Sequence, residues 1–74
     1  MLEVYWCGAY PMKDGSLSIR VDVYQDNEGY SAYAAYDNDP KASKEGKHPY
    51  SQQKAVQMAV KKLKVERRKH LKSV

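Results

Sequence analysis

One cysteine, no phenylalanine, four glycines, three prolines and no long apolar run: the scarcities of this 74-residue chain exclude several classes at once. A lone Cys7 forbids an intramolecular disulfide and any zinc site built from several cysteines, so a reducing, cytoplasmic setting is the simplest expectation. Nowhere do eighteen apolar residues stand together, and the opening Met-Leu-Glu-Val-Tyr-Trp lacks the basic and apolar regions of a signal peptide. Neither a membrane-spanning helix nor secretion by an ordinary leader is expected. The few glycines form no phosphate-binding loop, and no serine nucleophile motif is present. His48 and His70 stand far apart without a Cys/His cluster, and Asp37, Asp39 and Glu45 miss the ligand spacing of a calcium loop. Cys7, with no helix start or basic neighbour to activate it, reads as a small buried or half-buried strand residue. The expectation is a protein that is not an enzyme and holds no metal or cofactor.

What the chain does have is charge, unevenly spread. Residues 51–74 carry eight Lys/Arg and one acid, Glu66, for a net +7, whereas residues 1–50 carry five Lys/Arg and eight acids, for a net −3. A basic segment beside a mildly acidic body is the footprint of a protein that meets nucleic acid or an acidic protein surface. In place of phenylalanine there are seven tyrosines and one tryptophan, and tyrosine's apolar ring and polar tip suit half-exposed sheet faces and interfaces.

Hydrophobic periodicity predicts three strands and a helix. Residues 2–10 alternate, with Leu2, Val4 and Trp6 on one side and Glu3, Tyr5 and Cys7 on the other, until Pro11 interrupts. Asp14-Gly15 reads as the turn of a hairpin lengthened by Pro11-Met12-Lys13. Leu17, Ile19, Val21 and Val23 alternate with Ser18, Arg20, Asp22 and Tyr24 in the clearest strand of the chain. A loop over residues 25–29 leads to a third strand, 30–36, whose Ala32 and Ala34 face inward, where small side chains let a helix approach. Residues 37–50, with Pro40, Gly46, Pro49 and several charges, read as an exposed connection, either functional in itself or adding a short edge segment over 46–50. Ser51 is a fitting N-cap for a helix over 51–72, in which Val56, Ala59, Val60 and Leu63 recur at helical spacing. The stripe fades after Leu63, so the last two turns should project as a basic extension. The expected architecture is a single α+β domain: a three-stranded antiparallel sheet (1–36), a loop (37–50), and one C-terminal helix (51–72) packed across one face. Its core would hold Leu2, Val4, Trp6, Leu17, Ile19, Val21, Val23, Ala32, Ala34, Val56, Ala59, Val60 and Leu63.

The turn Asp26-Asn27-Glu28-Gly29-Tyr30, the aromatic-rich strand after it, the loop and a helix opening Ser-Gln-Gln-Lys-Ala-Val-Gln-Met-Ala at Ser51 resemble the β-β-β-α unit of HicB-type antitoxins. The same order is similar to the second half of double-stranded-RNA-binding domains. The resemblance covers about residues 18–63 and is one of fold, which does not by itself carry function. Where double-stranded-RNA-binding domains place lysines at the helix start, this chain has Ser51-Gln52-Gln53, and Val56 replaces a further lysine.

Two surfaces are candidates. Lys61, Lys62, Lys64, Arg67, Arg68, Lys69 and Lys72, with His70 among them, form a basic tail distributed over more than one helix face, suited to following phosphates rather than reading bases. The competing account is a solvated helix that keeps the protein soluble. On the sheet face away from the helix, Tyr5, Tyr24 and Tyr33, with Arg20 and Asp22 between them, could stack on bases, bury against a protein, or simply pair across strands. The leading expectation is therefore a small non-enzymatic, nucleic-acid-binding module. The alternative is an antitoxin-like inhibitor that binds a protein target through its sheet face or helix; the brevity of the chain suits a phage- or plasmid-borne origin for either. A homodimer is a further expectation, since the core is small and strand edges are free.

Overall fold

The computed structural model describes the backbone of residues 3–72 and the side chains of residues 3–68. Four strands and one helix follow in order: β1 (Tyr5–Asp14), β2 (Leu17–Asp26), β3 (Gly29–Tyr36), β4 (Asp39–His48) and α1 (Gln52–Lys72). The strands form one antiparallel meander, β1-β2-β3-β4. The expected three-stranded sheet is thus corrected to four. Residues 37–50, read as a loop, supply β4, which pairs with β3 from Tyr30↔His48 to Tyr36↔Asp39. β4 escaped the period-two pattern because an edge strand needs pairing on only one side. Gly46 is its one buried residue, and Pro40 falls where the register breaks between Ala34 and Tyr36.

The connections are also tighter than expected. β1 does not stop at Pro11 but runs on to Asp14, because an edge strand tolerates a residue without an N–H. Residues 25–29 are no five-residue loop: only Asn27 and Glu28 turn, and Asp26 Oδ1 accepts from the backbone N–H groups of Glu28 (2.8 Å) and Gly29 (3.1 Å). At the helix start, Ser51 Oγ accepts from Lys54 N at 3.2 Å, the N-cap role its position predicts. His48 Nδ1 holds the preceding turn, accepting from the N–H groups of Tyr50 (3.1 Å) and Ser51 (2.9 Å).

The core is Ile19, Val21 and Val23 of β2, Ala32, Ala34 and Tyr36 of β3, and Ala55, Ala59, Val60 and Leu63 of α1, with Leu17, Tyr30 and Val56 partly buried around it. Most of the predicted core is there. Val4 and Trp6 are not: both are 59% exposed. Leu2 lies outside the described residues. Two causes expel the first strand from the core. First, α1 lies over β3 and β4, brushes β2, and meets β1 at its margin, where Tyr10 Oη donates to Gln52 Oε1 at 3.0 Å. Second, the register shifts between Trp6 and Gly8, so Cys7 is an extra residue and every side chain before it changes face. Gly8, at φ 139°, supplies the backbone that this bulge requires. Cys7 itself is exposed, not buried or half-buried as expected.

The helix is drawn to β4 by small residues. A Cβ on Gly46 would strike the carbonyl oxygen of Ala55 and lie 2.5 Å from Ala59 N and 2.9 Å from Met58 Cβ. Backbone therefore meets backbone, with Ala32 and Ala34 beside the contact on β3, and no larger side chain fits at position 46.

Gly46→Ala is expected to cost about 1–3 kcal/mol, because helix and strand must separate, while Ser43→Ala, exposed in the same strand, should stay within about 0.5 kcal/mol of wild type. Urea titrations of the two variants measure the difference. Val21 is fully buried and Ser18 exposed, so Val21→Asp should unfold the protein and Ser18→Asp should leave its thermal melt nearly unchanged. Equal losses would overturn the register of β2.

Candidate functional site

The helix carries the basic residues, and the fold sorts them. Seven residues are nearly two turns, so Lys54, Lys61 and Arg68 fall in one row opposite Ala59 and Leu63. All three are exposed. The row spans about 21 Å along the axis, at 1.5 Å per residue. Beside it runs a second row with the same spacing, Met58 and Val65, each 41% exposed. Half-buried Lys64 flanks the other side. The basic tail is accordingly less dispersed than expected: its outward charges share a face, and Lys54, in the first turn of the helix, belongs with them. The seven-residue recurrence of Lys54, Lys61 and Arg68 is the signal in the sequence that points to this row.

Two of the predicted phosphate contacts face the body instead. Lys62 Nζ donates to the carbonyl oxygen of Glu45 on β4 at 2.9 Å. Arg67 Nη1 donates to Asp14 Oδ2 at 3.0 Å, and its guanidinium lies 5.6 Å from the Tyr36 ring centroid. Tyr36 Oη donates to the same Asp14 oxygen at 2.8 Å. Arg67 therefore docks the fifth turn of α1 onto the sheet, at a place where the basic segment was expected to project freely. The Asp14 carboxyl is held below the usual carboxylate range, chiefly by the Tyr36 hydroxyl and then by Arg67, against partial desolvation. Tyr36 is pushed up by burial and by its bond to Asp14. The side chains of Lys69, His70 and Lys72 lie outside the described residues.

The sheet face away from α1 is rearranged by the bulge. Cross-strand partners share a face, and Tyr5 pairs with Gln25 while Trp6 pairs with Tyr24. Tyr5 thus belongs to the helix side, correcting its expected place beside Tyr24 and Tyr33, and Trp6 takes that place. Tyr24 and Tyr33 stand edge to face with centroids 5.7 Å apart. Arg20 Nη2 reaches Asp22 Oδ1 at 3.3 Å, and Trp6 Nε1 makes a long contact of 3.4 Å to the same oxygen. Val4, Asp22, Tyr24, Asp26, Ser31, Tyr33 and Lys47 line an open depression there. Tyr33 is pushed up chiefly by its hydrogen bond to Glu45, which lies 4.0 Å from Lys47. Arg20 and Lys47 each stand beside a carboxylate, so the middle of this face offers a polyanion little attraction; Lys13, opposite Ser18, lies at its end.

Among the described residues no group of three or more His, Cys, Asp and Glu is placed to hold a metal, and no helix is long and apolar enough to cross a membrane.

Asp14→Asn should be less stable than wild type at neutral pH. Because the folded carboxyl titrates low, its contribution is complete above the ordinary value of about 3.9 and is lost as pH falls through the folded value. The gap between wild type and Asp14→Asn should therefore narrow as pH drops below about 4. Thermal melts from pH 7 to 2 check this, and a gap that stays constant would separate Asp14 from acid stability. At neutral pH Arg67→Gln should lower Tm and Arg68→Gln should not.

No known protein family, curated protein or solved structure matches this chain, so the roles of these surfaces rest on their own residues.

Proposed function

We propose that the protein is a small non-enzymatic binding module that meets nucleic acid through the outward face of α1. The observation that carries this reading is the row Lys54, Lys61 and Arg68: exposed, unburdened by acidic neighbours on that face, and about 21 Å long. A straight row of cations on a rigid helix is suited to a phosphate backbone, which attracts through counterion release and asks for no base contact. Lys64 adds to the row from its side. Lys69 and Lys72 continue the basic segment in sequence. The acids of the chain lie in the sheet, the turns and the segment before β1, apart from Glu66, so the molecule carries a dipole that turns the helix side toward a polyanion.

A second reading, an inhibitor-like module that binds a protein target through the open sheet face, has one observation in its favour. Val4 and Trp6 join Tyr24 and Tyr33 there, a larger exposed apolar surface than the tyrosines alone.

The test is a titration of DNA and RNA duplexes and single strands at several salt concentrations, with wild type and with Lys54→Gln, Lys61→Gln and Arg68→Gln combined. The triple variant should keep its melting curve, since none of the three side chains touches the core. It should bind more weakly, with a salt slope flatter by roughly one unit for each phosphate that is no longer neutralised. No binding by wild type at low salt, or equal slopes, would discard nucleic acid as the ligand of this face and favour the protein target.

A further inference from the structure

The two edges of the sheet are unlike. β4 is guarded: Pro40 removes an N–H, the register breaks over residues 40–43, and Lys41, Lys44 and Lys47 punctuate the strand. These are the devices by which edge strands avoid pairing with other chains. β1 has the Cys7 bulge and Pro11 but is otherwise apolar. Val4, Tyr5, Trp6, Tyr10 and Met12, in or just before β1, are all 37% exposed or more. They are the densest group of exposed apolar side chains among the described residues, and they lie on both faces of one strand. On the helix side, Tyr10, Pro11 and Met12 face Gln52, Gln53 and Val56 across a groove that α1 leaves uncovered.

We propose that β1 is a self-pairing edge, and that a second copy of the chain docks on it antiparallel, giving a two-fold dimer with a continuous eight-stranded sheet. A second copy fits for two reasons. An uncovered edge strand is a template for another extended segment, and pairing with its own equivalent consumes the apolar edge of both copies and closes the assembly. The face assignments are self-complementary: Tyr5 and Tyr10 lie on the helix side and Trp6 and Ala9 on the open side. Antiparallel pairing can therefore set Tyr5 against the partner's Tyr10, and Trp6 against the partner's Ala9, without sending any ring to the wrong face. The dyad runs through the bulges, beside Cys7 of each chain. Both α1 helices then lie on one side of the joined sheet, about 30 Å apart by strand spacings of about 4.8 Å. The pairing is independent of what α1 binds.

The experiment combines light scattering with oxidation of the only cysteine. Wild type should show a mass of twice 8.5 kDa at high concentration, falling to the monomer on dilution. Trp6→Lys with Tyr10→Lys, both at exposed positions, should keep the circular dichroism spectrum and remain monomeric throughout. Under mild oxidation wild type should form a Cys7–Cys7 cross-link whose yield follows the dimer fraction, because adjacent strands at the dyad bring the two Cα atoms within disulfide reach. A wild-type mass of 8.5 kDa up to millimolar concentration overturns the proposal. So does a dimer that survives the double substitution, or one that forms without raising the cross-link yield. If the double variant failed to fold, the wild-type cross-link would decide the matter alone.

Discussion

The close approach of α1 to β4 at Gly46 is the constraint on which the other features depend. A helix that lets its backbone come to within a Cβ of a strand must do so where both surfaces are small, and Gly46, Ala55 and Ala59 meet that condition together. The position fixes the helix over one half of a four-stranded sheet. From there its core residues reach Val21 and Val23, its opposite side is turned fully to solvent, and β1 is left uncovered except at its margin, where Tyr10 meets Gln52. The basic row and the apolar edge are thus two results of one packing choice.

Charge is then sorted by the same geometry. A basic segment of net +7 wound into a helix must distribute its cations around the axis, and the docked side can accept only those that find partners. Lys62 finds a carbonyl and Arg67 finds Asp14 and the face of Tyr36. The cations without such partners remain outward in a line. A basic composition becomes a directed surface because the inward cations are consumed by structure.

Much of this is legible in the sequence. Strand β2, the inward alanines of β3, the Ser51 cap and the Ala59-Leu63 stripe follow from periodicity and from the chemistry of helix starts, which are local. What is not legible depends on contacts distant in sequence. β4 has almost no branched residues, so its extended form is imposed by β3 beside it and the helix above it. Gly46 reads as a loop residue until the helix is placed against it. The bulge at Cys7 is signalled only by Gly8, yet one extra residue moves Val4 and Trp6 to the open face and Tyr5 to the other. Among the site residues, Arg20, Tyr24 and Tyr33 lie where alternation puts them, because β2 and β3 are regular. Arg67 does not, because its partner stands far back in the chain.

That partner has a temporal meaning. Asp14, beside the first turn, and Arg67, in the fifth turn of the helix, are separated by 53 residues, so the contact that ties hairpin to helix closes a loop holding the rest of the fold. During synthesis the first hairpin leaves the ribosome well before the helix, with its apolar strand exposed and its carboxylate waiting. The clasp cannot form until Arg67 has also emerged, and the helix cannot settle over Gly46 until Ala55 and Ala59 have done so. The order of synthesis therefore runs from sheet to helix, and the sheet must stay out of trouble, its β1 edge bare, for as long as the helix takes to arrive.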